Sequence, residues 1–404
     1  MASYFSLKIK DYDVIYEKNY FNPEIGILFS EYERVVEVSK GNKYQYVSTV
    51  EKLLERLSII GITPEKTKKE FSIFKKDYIE KFTADGEYYG DKSLKSLSLK
   101  KWCESIKQII ESEIRYTRKN VREQSNPVFR YILENDDFLY GFPTDDIRKT
   151  LSLILSMFPK DEKVILDLSP LIYSGYYEKY TRFVDLSKNQ IIDNKYYNEN
   201  IIILAEGTYD IFVLKETLQL LYPDKFHFFS FLDFDNSKTP GGAGHLVNYI
   251  RALSGASVTD KMIAIFDNDS AAQDAIRVLK SENIPKNIRY TKYPDIPYLN
   301  KYPTIGPMGK QQMNINGRAA SIEMYMGDDI LKKAEEAFPV QWTGYLKSIN
   351  SYQGGIIDKG KSQEAFRRKI KTCKRSEDEK TKADWSGIKA IWNHIYDLCS
   401  DFYI

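Results

Sequence analysis

Two kinds of hydrophobic spacing divide this chain near residue 195. Before it, a short stretch over residues 4–38 alternates polar and apolar positions around Asn19 and Pro23 and predicts a small β element. Apolar residues then recur at helical spacing. The sets are Val47, Val50, Leu54 and Leu57; Phe71, Phe74, Tyr78 and Phe82; Leu99, Trp102, Ile106, Ile109 and Ile110; and Ile147, Leu151, Ile154 and Phe158. Gly141-Phe-Pro-Thr144 punctuates this run, with Thr144 expected to cap the last helix. Residues 176–200 turn polar and irregular and read as the connection to a second region. From Ile201 the pattern changes. Strand-like runs at Ile201–Ala205, 226–232, 262–266 and 288–292 alternate with helical stretches at 211–221, 246–253 and 270–283, the signature of a parallel sheet flanked by helices. Beyond Leu331 the chain is expected to be helical again. There Trp385, Ile388, Trp392, Ile395, Cys399 and Phe402 form a stripe that reads as core packing.

The fold class expected is therefore α/β, with a mainly helical α+β region before it and a helical extension after it. Domain boundaries are placed at residues 1–195, 196–330 and 331–404. The bulk properties narrow this little. At 42% hydrophobic and 29% charged, the 404 residues have the composition of ordinary globular protein. A net charge of +2 gives no global field for nucleic acid, so any such surface must be local. Cys103, Cys373 and Cys399 have no paired spacing, which excludes a zinc ribbon and fits a reducing compartment. No apolar run approaches the roughly 18 residues of a membrane span, and no signal peptide is evident, so a cytoplasmic protein is expected.

The chemistry lies at the ends of the apolar runs. Ile201–Ala205 is followed by Glu206-Gly-Thr-Tyr-Asp210, and 262–266 by Asp267-Asn-Asp269. In an open parallel sheet, residues just past the carboxyl ends of strands line the ligand crevice. Carboxylates there make a hard-oxygen site suited to Mg²⁺ or Mn²⁺. Helix capping alone accounts for one aspartate, but not for the two motifs together.

These motifs resemble the TOPRIM domain, the metal-dependent fold shared by topoisomerases, bacterial primases, small RNA-maturing nucleases and the overcoming-lysogenization-defect nucleases. The resemblance spans residues 201–330. Ser321-Ile-Glu323 is similar to the Ser-x-Glu segment that completes the site in the last of these. The opening Met1-Ala-Ser-Tyr-Phe-Ser-Leu, through Lys18-Asn-Tyr20 to Leu28-Phe29, resembles HEPN/Toprim N-terminal domains from bacterial defence loci. The resemblance implies a two-metal phosphodiesterase, with two divalent ions about 3.5–4 Å apart. Glu206, Asp267 and Asp269 would hold one ion, Asp210 and Glu323 would favour the second, and Ser321 would orient a bound water. It further implies a late lysine at the scissile phosphate, Lys361 with Lys359 as rival. Two departures stand out. No ATPase precedes the acids, and the only histidines, His227, His245 and His394, lie outside the helical region, so an Arg-x-His ribonuclease motif is absent there. That region is expected to serve assembly or sensing.

Further motifs carry less weight. Gly355-Ile-Ile-Asp-Lys-Gly-Lys361-Ser362 satisfies the P-loop pattern, but the polar residues before it do not read as a core strand, and too little chain follows for an ATPase sheet. Gly241-Gly-Ala-Gly244-His245 reads equally as a phosphate-contacting turn or a flexible connection. Asp233 and Asp235 read as a solvated turn more than as further site acids. Arg367, Arg368 and Lys369, with Lys371, Lys374 and Arg375, could track a nucleic-acid backbone or simply face solvent. The leading expectation is a nuclease acting on DNA, or on RNA, in anti-phage or toxin-like defence. Expected partners are a second copy of the chain and a protein from the same locus, perhaps an ATPase, with no membrane. A topoisomerase or primase relative, and an inactive TOPRIM scaffold, are the alternatives.

Overall fold

The computed structural model describes residues 3–37, 43–84, 87–90, 92–135, 139–144, 146–193, 200–232, 240–333, 336–400 and 402. Asp233 and Asp235 lie outside the described residues. The chain folds as two compact units, Met1–Asn198 and Glu199–Ile404. Among the described residues no helix is long and apolar enough to cross a membrane.

The first unit is built on a five-stranded antiparallel sheet of order β2-β1-β5-β4-β3, from β1 (Tyr4–Ile9), β2 (Tyr12–Lys18), β3 (Arg34–Glu37), β4 (Lys43–Thr49) and β5 (Lys163–Asp167). Strand β1 buries every second residue, so one face of the sheet is core. The longer helices of the unit are α1 (Val50–Ile59), α2 (Pro64–Lys81), α3 (Leu99–Glu111), α4 (Pro127–Glu134), α5 (Ile147–Leu155) and α6 (Phe183–Asp193). Three expectations change. Val47 belongs to β4, because the Thr49 side chain accepts the Lys52 N–H and starts α1 only at Val50. Asp146, not Thr144, caps α5 by accepting the Arg148 N–H at 2.9 Å. The polar stretch after residue 176 holds α6, anchored by buried Phe183 and Val184. A buried ion pair fixes α1 to the sheet. Arg56, wholly buried, donates to both oxygens of Glu33 at 2.8 Å and to the Leu28 carbonyl at 2.7 Å.

The second unit contains a four-stranded, all-parallel sheet of β6 (Ile201–Ala205), β7 (Phe229–Phe231), β8 (Lys261–Phe266) and β9 (Ile288–Lys292), in the order β9-β8-β6-β7. Residues 226–228 form a 3₁₀ turn ahead of β7. The connecting helices are α7 (Thr208–Leu221), α8 (Ala243–Gly255) and α9 (Ser270–Leu279). On one face Leu204, Met262, Ala264 and Phe266 pack with Leu246 and Ile250 of α8 and Ala272 and Leu279 of α9. The chain leaves β6 towards β7 and returns to β8 on its other side. The crevice between the ends of β6 and β8 is thus a topological switch point.

The stretch beyond residue 330 belongs to this same compact unit and is not purely helical. It supplies β12 (Val340–Leu346) and β13 (Ser351–Ile356), which join β10 (Tyr302–Gly306) and β11 (Gly309–Met313) in a mixed sheet of order β11-β10-β12-β13. Helices α10 (Lys359–Cys373) and α11 (Ser386–Ser400) follow. The stripe through Trp385, Ile388, Trp392, Ile395 and Cys399 is buried, and the Trp392 indole donates to Thr217 of α7.

Candidate active site

The switch point sets two carboxylates side by side. Ala205 and Ile265 are register partners at the ends of β6 and β8, and Glu206 and Asp267 follow within two residues. The Asp267 N–H donates to Glu206 Oε1 at 2.9 Å. Asp210, one turn into α7, is buried and accepts from the Tyr293 hydroxyl at 2.9 Å. Asp269 caps α9 by accepting the Ala272 N–H at 2.8 Å. Residues 268–269 also pair antiparallel with Ala319–Ala320, which delivers the Ser-x-Glu segment. Ser321 donates to Glu323 Oε2 at 2.5 Å, and Gln363 of α10 donates to Glu323 Oε1 at 2.7 Å. Glu323 is 0% exposed, an unusual placement for a carboxylate without compensating donors.

Electrostatics shows that the five acids converge. Burial pushes Glu206 up to about 7, with repulsion from Asp269 and Asp210 adding to it. Burial also pushes Asp210 up to about 6, with Glu323 adding. Asp269 is raised by burial against two backbone hydrogen bonds that oppose it. Asp267 is raised well above the usual carboxylate range, first by burial and then by repulsion from Asp210, Glu206, Asp269 and Glu323. Its carboxyl thus feels all four of the other acids. Its Oδ1 is shielded from solvent and has no hydrogen-bond partner among the described residues. A buried oxygen left without a donor is costly. Hard-oxygen donors with one orphaned buried oxygen fit a divalent cation. Even so, among the described residues no three acid, histidine or cysteine side chains form a ready-made ligand set. Glu206, Asp210, Asp269 and Glu323 are each turned onto a donor of their own, which eases the repulsion among unneutralised carboxylates.

The two candidate late lysines are placed differently. Lys361 is 72% exposed and pairs with Asp358 at 2.9 Å. Lys359 instead reaches Glu323 at 3.3 Å. Burial alone would lower its pKa, yet Glu323, Asp267 and Asp210 together carry it above its ordinary value. Lys369 is buried and donates to Asp329, to Met326 O and to Asp384 O, so its ammonium is spent within the fold. Arg367 stacks over Phe212 with its guanidinium 4.1 Å from the ring centre, and Arg368 pairs with Glu364 along α10. Both are exposed. The P-loop reading fails on geometry, although β13 precedes the segment and α10 follows it. Only Ile357 and Asp358 separate the two elements, and the Lys361 and Ser362 N–H groups are spent on Asp358 O. The glycine-rich turn is spent too. The Gly242 N–H donates to Glu206 O at 2.6 Å, and a Cβ on Gly241 would lie 2.7 Å from that oxygen. Only glycine lets this turn approach and hold Glu206.

Three residues escape sequence reasoning. Asn268, between the two aspartates, is wholly buried, donates to Asp295 at 2.9 Å, and accepts from Lys292 at 2.6 Å and from the Gly317 N–H at 2.8 Å. Tyr293 and Gln363 hold Asp210 and Glu323. Polar residues in short loops carry no period, so nothing in the sequence singles these three out.

Comparison with known families places the first half of the chain. Residues 1–195 match HEPN/Toprim N-terminal domain 1, and this part of the protein is a domain of that family. No curated protein and no solved structure matches the chain.

Proposed function

We propose that the second unit is a TOPRIM-type nuclease that hydrolyses nucleic-acid phosphodiesters with Mg²⁺ or Mn²⁺. The observation that carries this reading is Asp267, a half-buried carboxylate at the switch point that feels four other acids and has a shielded oxygen left without a partner among the described residues. Glu206, Asp267 and Asp269 would hold one cation, and Asp210 and Glu323 a second. A bound divalent cation supplies Lewis-acid polarisation of the phosphate and lowers the pKa of water. The chain's own groups do the rest. Lys359 offsets charge on the scissile phosphate. Ser321 and Gln363 fix the direction of the Glu323 carboxylate, Tyr293 that of Asp210, and the Asp267 N–H that of Glu206. The substrate is DNA or RNA. The N-terminal domain's resemblance to defence-locus proteins supports an anti-phage or toxin-like role. Within that role the protein works as a cytoplasmic homodimer, with a partner protein governing activation.

The test incubates the purified protein with plasmid, linear DNA and RNA in Mg²⁺ or Mn²⁺, beside Glu206→Ala and EDTA. Metal-dependent cleavage lost in the variant supports the reading. Cleavage that persists in EDTA overturns it. The lack of a ready-made ligand triad among the described residues favours a second reading, an inactive scaffold that retains the fold. Calorimetric titration with Mn²⁺ separates the two, since a scaffold takes up no ion at Asp267.

A further inference from the structure

Beside the acids, strands β12 and β13 form a hairpin that carries three aromatic side chains on one face. Tyr345 and Tyr352 are direct register partners, 48% and 50% exposed, with ring centres 5.3 Å apart. Trp342 lies 5.9 Å from Tyr352. In a regular strand, residues 342 and 345 would point to opposite faces. Here the register shifts between Trp342 and Gly344, so Trp342 falls opposite Gly354, two residues from Tyr352, and joins the tyrosines' face. A bulge that re-aims a side chain in this way recurs beside functional sites. Gly354 makes room, because a Cβ there would lie 2.9 Å from the Trp342 ring.

The hairpin is also tied to the acids. The Ser270 hydroxyl, one residue beyond Asp269, donates to Tyr352 O at 2.6 Å and shares a 2.9 Å hydrogen bond with the Ser351 hydroxyl. The Ser270 N–H donates to Arg318 O at 3.3 Å. One residue therefore holds the backbone of the aromatic face, the end of the acid motif and the backbone of Arg318. Arg318 is exposed and, among the described residues, its guanidinium pairs with no carboxylate; it makes one long contact, 3.4 Å, to Asn314 O.

We infer that the Trp342–Tyr345–Tyr352 face, with Arg318 tied to it through Ser270, is a platform for the unpaired bases flanking the scissile phosphate, so that the substrate is single-stranded or locally unpaired nucleic acid. Aromatic faces stack on any base, whereas a paired base in a duplex is already stacked on its neighbours. The free guanidinium supplies the backbone contact that this mode of binding needs. The location of the scissile phosphate rests on the nuclease reading; the binding surface does not.

The test measures binding of labelled oligo-dT, oligo-U and a blunt duplex, about twenty nucleotides each, by anisotropy in EDTA, so that no cleavage enters. Wild type is expected to bind single strands more tightly than duplex, with the oligo-dT and oligo-U arms telling DNA from RNA. Tyr345→Ala/Tyr352→Ala is expected to weaken single-strand binding about tenfold or more while leaving duplex binding and thermal stability unchanged. Arg318→Ala should reduce the slope of log affinity against log salt by about one. A second signal comes from tryptophan. Of the four, Trp102, Trp385 and Trp392 are buried, so quenching on addition of oligo-dT reports Trp342 and is lost in Trp342→Phe. If the double tyrosine variant binds as wild type, the rings only pin the hairpin and the platform is overturned. Preference for duplex in wild type overturns it equally. Loss of binding in the variants, with no cleavage of any substrate by wild type, would leave the platform standing and remove the nuclease reading.

Discussion

Asn268 separates two aspartates by turning its own side chain the other way, into Asp295, Lys292 and Gly317, and so aims its neighbours at the crevice. Asn268→Ala is expected to leave the acids present but misaimed, cutting cleavage about a hundredfold, by analogy with small misplacements of reacting groups. Single-turnover rates measure this, and a wild-type rate would refute the positioning role. Asp267→Asn should abolish cleavage yet raise the melting temperature of the metal-free protein at alkaline pH, where the native carboxyl must ionise against burial and four neighbouring acids. Scanning calorimetry in EDTA would show the reverse if the cluster were unstrained. Lys359→Ala is expected to slow cleavage by about 10²–10³, and Lys361→Ala by no more than about twofold, as judged by initial rates. Why sequence favours Lys361 is plain in the backbone. Asp358 sits in the left-handed region at φ 61° and α10 begins at the next residue, so positions 359 and 361 fall about 200° apart around the helix. No letter pattern reveals where that turn ends. The Glu206 and Asp267/Asp269 motifs stand out in the sequence because each follows an apolar strand, where solvation and capping give little reason for so many carboxylates, whereas Glu323 is reached by resemblance alone. Asn268, Tyr293 and Gln363 do not stand out, because their partners are distant in sequence.

At the level of elements, strands with apolar runs are legible and those with mixed faces are not. Ile201–Ala205 matches its apolar run to the residue. The hairpin 340–356 reads as helix and loop in sequence, because its exposed tyrosines and glycines carry neither period clearly. Strand β5 is hidden for a different reason: its five residues sit between helices and pair with strands far away in sequence. The joint between α1 and the antiparallel sheet gives a direct test. Glu33→Ala leaves Arg56 buried without its carboxylate and is expected to destabilise the first unit by about 3–5 kcal/mol, whereas replacing both residues with apolar ones is nearly neutral. Urea melts of the three proteins decide it, and equal losses would contradict the desolvation argument.

For the molecule as a whole, pH and metal act on the same acids. Folded Glu206 and Asp210 hold protons up to about 7 and about 6, where the unfolded chain releases them near the ordinary values of 4.5 and 3.8. Across that window the folded state binds more protons, so metal-free stability is full below it and falls as pH rises through it. Cation binding must displace those protons. The melting temperature in EDTA should therefore be lower at about pH 8 than at about pH 5.5, and the gain from Mn²⁺ larger at the higher pH. A metal-free melting temperature that does not move between the two would remove the strain assigned to the cluster. The acids and their supporting groups come from Glu206 at one extreme and Gln363 at the other, with Lys359 late in that interval. A chain still being synthesised, or one cut short before Lys359, can fold its first unit and most of its parallel sheet and still lack a complete centre. The order of residues along the chain thus delays completion of the proposed centre until Lys359 and Gln363 have been made.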